Sequence, residues 1–228
     1  ASLALSPSEL VMIERFDDNG IVWNRFDVLA LKTSLTPNRI VLATLPVCGA
    51  RQSDPFLQQL GTGQKGSMVG GYVPFDYMDA QIRADYFKML DKLIAQGFDG
   101  VMLDGLWLNN VFGSEENAKA FVSEIVNYCR VIKSLSQFHI VLRGCEHWTD
   151  LSLFPFVSGI VSENLFYIGD MPQIATVTSD KIGFLNQFYA AGKKVLVIDY
   201  ISDAAIADLF RQKCVAMGYT AFVTNQDW

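Results

Sequence analysis

Short apolar segments alternate with polar segments of helical length along almost the whole chain, and this alternation restricts the possible folds more than any other feature. Eight apolar segments can be recognised, at residues 10–16, 27–33, 40–46, 100–105, 139–145, 159–165, 195–201 and 219–225. A strand that is apolar along its whole length is buried on both faces, as in parallel sheets covered by helices. We therefore predict an α/β fold, a (β/α)8 TIM barrel. An open Rossmann-like sheet is the alternative.

The first units of this barrel are expected to be abbreviated, because only about ten and six residues separate the first three apolar segments. Apolar periodicity predicts helices within residues 79–97, 114–134, 179–194 and 202–218. Ser114 is expected to cap the N-terminus of the second helix, and Gly97 is expected to end the first. We predict one domain over residues 1–228, and we expect a loop at residues 50–78.

Composition excludes several classes of protein. The chain has 228 residues, half of them apolar, and a formal net charge of −6 without a cluster of basic residues. Nucleic acid is therefore not an expected partner. No apolar run approaches the length of about 20 residues that spans a membrane. We expect a monomer.

Neither the cysteines nor the glycine-rich segment indicates a cofactor. The four cysteines are scattered without metal-ligand spacing, and we expect them to be free and buried. The segment GTGQKG at residues 61–66 fits a dinucleotide-binding pattern, but it does not directly follow a strand or open a helix. We interpret it as a loop, and we expect no cofactor and no metal.

Acidic residues stand where four of the predicted strands end. Asp104 ends GFDGVMLD, Glu163 lies in VSENLFY, Asp199 lies in VIDY, and Glu146 follows the strand at residues 139–145. The carboxyl ends of all strands in a parallel barrel share one face, which carries the active site. Two carboxyl groups in one cleft are what glycoside hydrolysis requires, one as acid and the other as nucleophile or base. Trp107, Tyr167 and Tyr200 follow strand ends on the same face, where aromatic rings favour a carbohydrate ligand.

These segments resemble a known family. GFDGVMLDG, VSENLFY, GKKVLVIDY and GYTAFVT are similar to the signature segments of the endo-α-1,4-polygalactosaminidase glycoside hydrolases (family 114 type), in the same order. LRGCEHWTDL and DYMDAQIRADYF resemble the related hydrolase domain of the Pel exopolysaccharide protein. The resemblance covers about residues 25 to 225.

The resemblance implies a secreted or periplasmic, endo-acting (β/α)8 hydrolase of α-linked galactosamine-type oligo- or polysaccharides. It assigns the catalytic pair to Asp104 and Glu163, and it implies that Gly105 leaves room for a sugar ring. The residues expected to bind substrate are Asp199, Tyr200, Trp107, Arg143, Glu146, Tyr167 and Asp79.

Some positions differ from the family pattern. Lys32 aligns with an acidic residue at the end of strand two, Trp107 with a second aspartate, and Leu142 with an asparagine. Fewer acids and an added lysine would weaken the binding of a cationic polymer. The alternatives are therefore a hydrolase of a less cationic substrate and a non-catalytic carbohydrate-binding barrel. A lyase or a cofactor enzyme on the same fold is a third hypothesis.

Overall fold

The computed structural model describes residues 9–17, 19–33, 39–149 and 152–224. By packing, the chain divides into two compact units, one over residues 1–140 and the other over residues 141–228. One domain over residues 1–228 stays a prediction.

The first unit combines parallel strands, helices and one small hairpin. Its elements are β1 (Leu10–Glu14), α1 (Arg25–Thr33), β2 (Ile40–Pro46), β3 (Gly49–Arg51), β4 (Tyr72–Pro74), α2 (Ala80–Gln96), β5 (Gly100–Asp104) and α3 (Glu115–Asn127). Strand β2 lies between β1 and β5 and is parallel to both. Strands β3 and β4 form an antiparallel pair. The next strand, β6 (His139–Arg143), begins beside β5, where the His139 N–H donates to the Asp99 carbonyl over 2.9 Å.

The second unit begins at Val141 within β6 and also combines parallel strands with helices. Its elements are β7 (Gly159–Glu163), β8 (Tyr167–Ile168), β9 (Met171–Pro172), α4 (Ala175–Ala190), β10 (Lys194–Tyr200), α5 (Ala204–Ala216) and β11 (Thr220–Thr224). The order of the parallel strands is β6-β7-β10-β11, while β8 and β9 form a short antiparallel pair. Ile160, Val161, Val195 and Val197 are buried, which accounts for the apolar composition of both central strands.

The fold class is α/β, as predicted, but the expected set of eight strands is not reproduced. The described residues contain seven parallel strands and five α-helices. Among them, β1 is paired only with β2, and β11 is paired only with β10. The parallel strands follow one another in chain order, as in a TIM barrel, whereas a doubly wound Rossmann sheet reverses its order midway.

The predicted strand at residues 27–33 was wrong, because this segment is helix α1. The side chain of Asn24 accepts hydrogen bonds from the N–H groups of Phe26 and Asp27, and the Asp27 carboxylate accepts one from the Asn24 N–H. This reciprocal capping box fixes the start of a helix. Val28 and Leu31, three residues apart, form its buried face.

Local capping signals elsewhere were interpreted correctly. Gly97 ends α2 in the left-handed conformation with φ 87°, and the Ser114 hydroxyl accepts from the Asn117 N–H at the start of α3. The segment GTGQKG contains a 3₁₀ turn over Thr62–Gln64 and opens no α-helix. Within the described part of the chain, no helix is both long and apolar enough to cross a membrane.

Candidate active site

Asp104 is the last residue of β5, and backbone geometry explains why the strand ends there. Gly105 adopts a left-handed conformation with φ 73°, and a Cβ atom at this position would lie 2.2 Å from the Gly49 carbonyl oxygen. Only glycine fits both conditions. The space beside Gly105 is thus filled by the backbone of β3, which corrects the expectation that it leaves room for a sugar ring.

Two hydrogen bonds orient the Asp104 carboxylate. Its Oδ1 accepts from the Gly105 N–H over 2.7 Å, and its Oδ2 accepts from the Tyr72 hydroxyl over 2.8 Å. The side chain is buried, with 3% of the residue surface exposed. Trp107 packs edge-on against Tyr72, with 5.7 Å between ring centroids, and 38% of Trp107 is exposed. Trp107 therefore presents a partly exposed aromatic ring, and Tyr72 connects this ring to Asp104.

A second acid, Glu14, lies close enough to Asp104 to be affected by its charge, and it was not among the predicted site residues. Glu14 ends β1 as Asp104 ends β5. Burial and the charge of Asp104 raise the pKa of Glu14 from 4.5 to about 7, against the opposing effect of Arg51. The acid at the end of the apolar segment LVMIE was the signal that could have revealed it. We refer to Asp104, Tyr72, Trp107, Glu14 and Arg51 as the Asp104 cluster.

An open depression of about 370 Å³ borders this cluster and is lined by Arg51, Gln52, Ser53 and Gly71. Arg51 and Gly71 belong to the hairpin that also supplies Tyr72. The depression therefore gives solvent and small ligands access to the arginine of the cluster.

Lys32 does not lie at a strand end, contrary to the alignment. It is in the last turn of α1, and its Nζ donates to Asp99 Oδ1 over 2.6 Å. The strand that precedes β2 ends on Glu14 instead. The argument that Lys32 weakens the binding of a cationic substrate is therefore wrong.

In the second unit, Glu163 is the last residue of β7 and is held by two neighbouring side chains. Arg143 donates to Glu163 Oε1 over 2.7 Å, and the Tyr200 hydroxyl donates to the same oxygen. About 25% of the Glu163 side chain is exposed, while Arg143 is largely buried. Both contacts fall on one oxygen, Oε1. The chain turns directly afterwards at Asn164, which has φ 50°.

Glu146 lies close to the end of β7 as well. Its Oε1 accepts from the Ser162 hydroxyl over 2.6 Å and lies 3.8 Å from the Lys181 Nζ. Lys181 also donates to the backbone carbonyl of Glu163 over 2.6 Å. Glu146 and Glu163 thus share Lys181 as a neighbour. We refer to Glu163, Arg143, Tyr200, Glu146 and Lys181 as the Glu163 cluster.

Asp199 holds the backbone that follows Glu163, and its contact with substrate stays a prediction. It is fully buried, and its two oxygens accept from the N–H groups of Leu165, Phe166 and Tyr167 at 2.8–2.9 Å. Burial raises its pKa above the ordinary value of 3.8, and the three backbone N–H groups oppose this effect. Asp199 therefore anchors the segment that follows Glu163.

Tyr167 and Asp79 are each hydrogen-bonded within the protein. Tyr167 is buried, its hydroxyl accepts from Lys213 over 3.1 Å, and the Lys213 ammonium lies 4.7 Å from its ring centroid. Asp79 caps the N-terminus of α2 by accepting from the N–H groups of Gln81 and Ile82. The bond from Ile82 lowers the pKa of Asp79 below its ordinary value. The Tyr167 hydroxyl is thus engaged by Lys213 and the Asp79 carboxylate by the backbone of α2, and their contacts with substrate stay predictions.

The four cysteines are free and buried, as predicted. No group of three potential metal ligands occurs among the residues that the structure describes.

Solved structures with this fold include carbohydrate-active enzymes. The glycoside hydrolase domain of PelA from Pseudomonas aeruginosa superimposes with a TM-score of 0.73 at 19% identity, covering 98% of this chain and 90% of that domain. Ega3 of Aspergillus fumigatus, solved in complex with galactosamine, also has a TM-score of 0.73, at 14% identity, covering 96% of this chain and 84% of Ega3. At these identities the likeness concerns the fold, and at that level it confirms the resemblance found in the sequence.

No family model matches the chain, but sequence relatives occur in an archaeon and in bacteria. An uncharacterized protein of Methanocaldococcus jannaschii is 33% identical over 161 residues, which are 62% of this chain and 46% of that protein. One of Deinococcus radiodurans is 26% identical over 237 residues, covering 96% of this chain and 73% of its own length. The chain thus matches less than half of the archaeal relative, and what it shares with the PelA and Ega3 structures is their α/β fold.

Proposed function

We propose that the chain is a glycoside hydrolase that cleaves an α-linked galactosamine-type polysaccharide, with Asp104 and Glu163 as its carboxylate pair. One observation carries the proposal. Each of the two acids ends a parallel strand and is held on one oxygen by a tyrosine hydroxyl, from Tyr72 or from Tyr200. The likeness in fold to the PelA domain and to Ega3 supports the same activity.

The proposed chemistry uses the two carboxyl groups in different protonation states. One transfers a proton to the leaving oxygen of the glycosidic bond, while the other attacks the anomeric carbon or activates a water molecule. The tyrosines keep each carboxylate in one orientation, which lowers the entropy lost on reaching the transition state. Arg143, paired with Glu163, supplies positive charge that stabilises a carboxylate anion at this position.

The predicted substrate contacts divide into two groups within this proposal. Trp107, Tyr200, Arg143 and Glu146 belong to the two clusters and are proposed to contact the sugar. Asp199 and Asp79 accept hydrogen bonds from backbone N–H groups, and the Tyr167 side chain contacts Lys213. We further propose a secreted or periplasmic location, which follows from a polysaccharide substrate.

The test is product release from oligomers of α-1,4-linked galactosamine and N-acetylgalactosamine, with purified wild-type protein and the variants Asp104→Asn and Glu163→Gln. Each variant is expected to lose activity by about three orders of magnitude or more while keeping its melting temperature. Asp208→Asn and Glu116→Gln make the same chemical changes at exposed positions and should retain full activity. A large loss of stability in either site variant would contradict a catalytic role.

A non-catalytic carbohydrate-binding protein is the second candidate, and the burial of Asp104 favours it. With 3% of its surface exposed and both oxygens hydrogen-bonded, Asp104 has no oxygen that a sugar can reach without rearrangement. Binding of the oligomers without any cleavage, measured by calorimetry, would select this candidate.

A further inference from the structure

Glu14 and Asp104 project from the same face of the parallel sheet in the first unit. Glu14 is opposite Thr44 in the β1–β2 pair, and Asp104 is opposite Pro46 in the β2–β5 pair. Thr44 and Pro46 are two residues apart on one strand, so their side chains point to the same side. Partners in a parallel pair share a face as well, which places both acids over the C-terminal end of β2.

Arg51 connects the two acids through Tyr72. Its Nε lies 3.9 Å from Glu14 Oε1, which is beyond hydrogen-bonding distance, and no described atom accepts a hydrogen bond from this buried group. The Arg51 guanidinium carbon lies 5.3 Å from the centroid of the Tyr72 ring. Tyr72 in turn donates to Asp104. A change in the charge of Glu14 therefore acts on a cation that already touches the tyrosine that orients Asp104.

Charged groups from several elements face Glu14. Burial and the negative charges of Asp104 and Asp54 favour its protonated form, and the cations Arg51 and Arg15 oppose them. Arg15 is paired with Asp54, so its charge is largely balanced there. Together these groups give Glu14 a pKa of about 7. About 34% of the side chain is exposed, so its proton can exchange with solvent.

We propose that Glu14 is a positioning residue for Asp104, which holds a proton in the working enzyme and disturbs the Asp104 cluster when it releases that proton to water. The proposal rests on the proposed function for its consequence in catalysis. In the protonated state, Glu14 adds no charge beside Asp104, and Arg51 stays over Tyr72. After deprotonation, the new anion repels the Asp104 carboxylate and attracts the Arg51 guanidinium away from the tyrosine ring.

The first measurement does not need activity. Side-chain carboxyl groups labelled with ¹³C are followed by NMR from pH 5 to pH 9, with resonances assigned through Glu14→Gln and Asp104→Asn. In the wild type, the Glu14 signal should titrate with a midpoint near pH 7, and the Asp104 signal should show a step at the same pH. Glutamine resembles the protonated acid in shape and charge, so Glu14→Gln should fold and should lack this step.

Two further variants complete the design. Glu9→Gln makes the same change at an exposed position just before β1 and should leave the step in place. Arg51→Met removes a cation that favours the ionised form of Glu14, so the midpoint should move upward. A wild type without a step near pH 7, or a step that persists in Glu14→Gln, would overturn the proposal.

The catalytic consequence is measured separately on the oligomers used above. In the wild type, kcat/KM should decline with a midpoint near pH 7, and Glu14→Gln should remove this decline. An unchanged profile in Glu14→Gln would contradict the positioning role. Absence of cleavage at every pH would contradict the proposed hydrolase function, and the NMR titration would still decide whether Glu14 acts on Asp104.

Discussion

Asp199 offers a direct test of how much a buried carboxyl group stabilises the backbone segment that it holds. Its Oδ2 accepts from the N–H groups of Phe166 and Tyr167, and its Oδ1 accepts from the N–H of Leu165. In Asp199→Asn, one oxygen remains and can keep the first two bonds. The new amide group then faces the Leu165 N–H, so two donors meet in a buried position.

The expected change in the free energy of unfolding can be worked out from these contacts. The lost bond to a charged acceptor is worth about 1.5–3 kcal/mol, and the unsatisfied donors cost about 1–3 kcal/mol more. Removing a buried charge offsets part of this cost, since burial raises the pKa of Asp199. We therefore expect the free energy of unfolding to fall by about 2–4 kcal/mol at pH 7. For a chain of this size, the melting temperature should fall by roughly 5–15 °C.

The assay is urea unfolding, combined with hydrogen exchange at individual amides. Faster exchange should be confined to the region of Leu165, Phe166 and Tyr167. Asp170→Asn is a matched control, because Asp170 is exposed and accepts from the N–H groups of Ser202 and Asp203. In this control, the free energy of unfolding should fall by about 0.5 kcal/mol or less.

The loss of unfolding free energy in Asp199→Asn should depend on pH, and the direction of this dependence follows from the pKa of Asp199. Since the pKa of Asp199 is raised in the folded protein, the wild type loses stability from this residue as the pH rises above the unfolded value near 3.8. Asparagine does not ionise. The stability deficit of Asp199→Asn should therefore be larger near pH 4 than at pH 7. A variant at least as stable as the wild type at both pH values would show that an amide satisfies the three backbone N–H groups as well as the carboxyl group does, and it would refute the reasoning.

Two more predictions concern the backbone and the thiols. Gly105→Ala should destabilise the protein by about 2 kcal/mol or more and distort Asp104, because the new Cβ would lie 2.2 Å from the Gly49 carbonyl oxygen at φ 73°. Gly71→Ala, at φ 80° with no atom within 4 Å, should show only the conformational cost of about 1 kcal/mol in urea unfolding, and equal losses would contradict the role of the Gly49 contact. The four cysteines should resist a thiol reagent in the folded protein and all react in denaturant without reductant, since all four are buried and burial raises the pKa of Cys129 and of Cys214 to about 12. Fast labelling of the folded protein, or fewer than four reactive thiols after unfolding, would disprove this.

Much of the secondary structure could be predicted because its signals are local. Ser114 and Gly97 act on backbone groups within one helical turn, so their roles can be inferred from neighbouring residues. The error at residues 27–33 has a local cause as well. The capping box of Asn24 and Asp27 precedes a segment that is apolar enough to be taken for a strand.

The amino-acid sequence by itself determined the alternation of strands and helices, the glycine after Asp104 and the acids that end β5 and β7. Only the tertiary structure decided which groups surround these acids, because their hydrogen-bond partners come from distant parts of the chain. Asp199 holds backbone N–H groups more than thirty residues away in the chain, a contact that no local pattern indicates. The raised pKa of Glu14 could not be inferred from the sequence, because it results from burial and from a carboxylate in β5, against the opposing effect of an arginine in β3. The charge of a carboxyl group depends on burial and on neighbours brought together by folding, and no local pattern contains them.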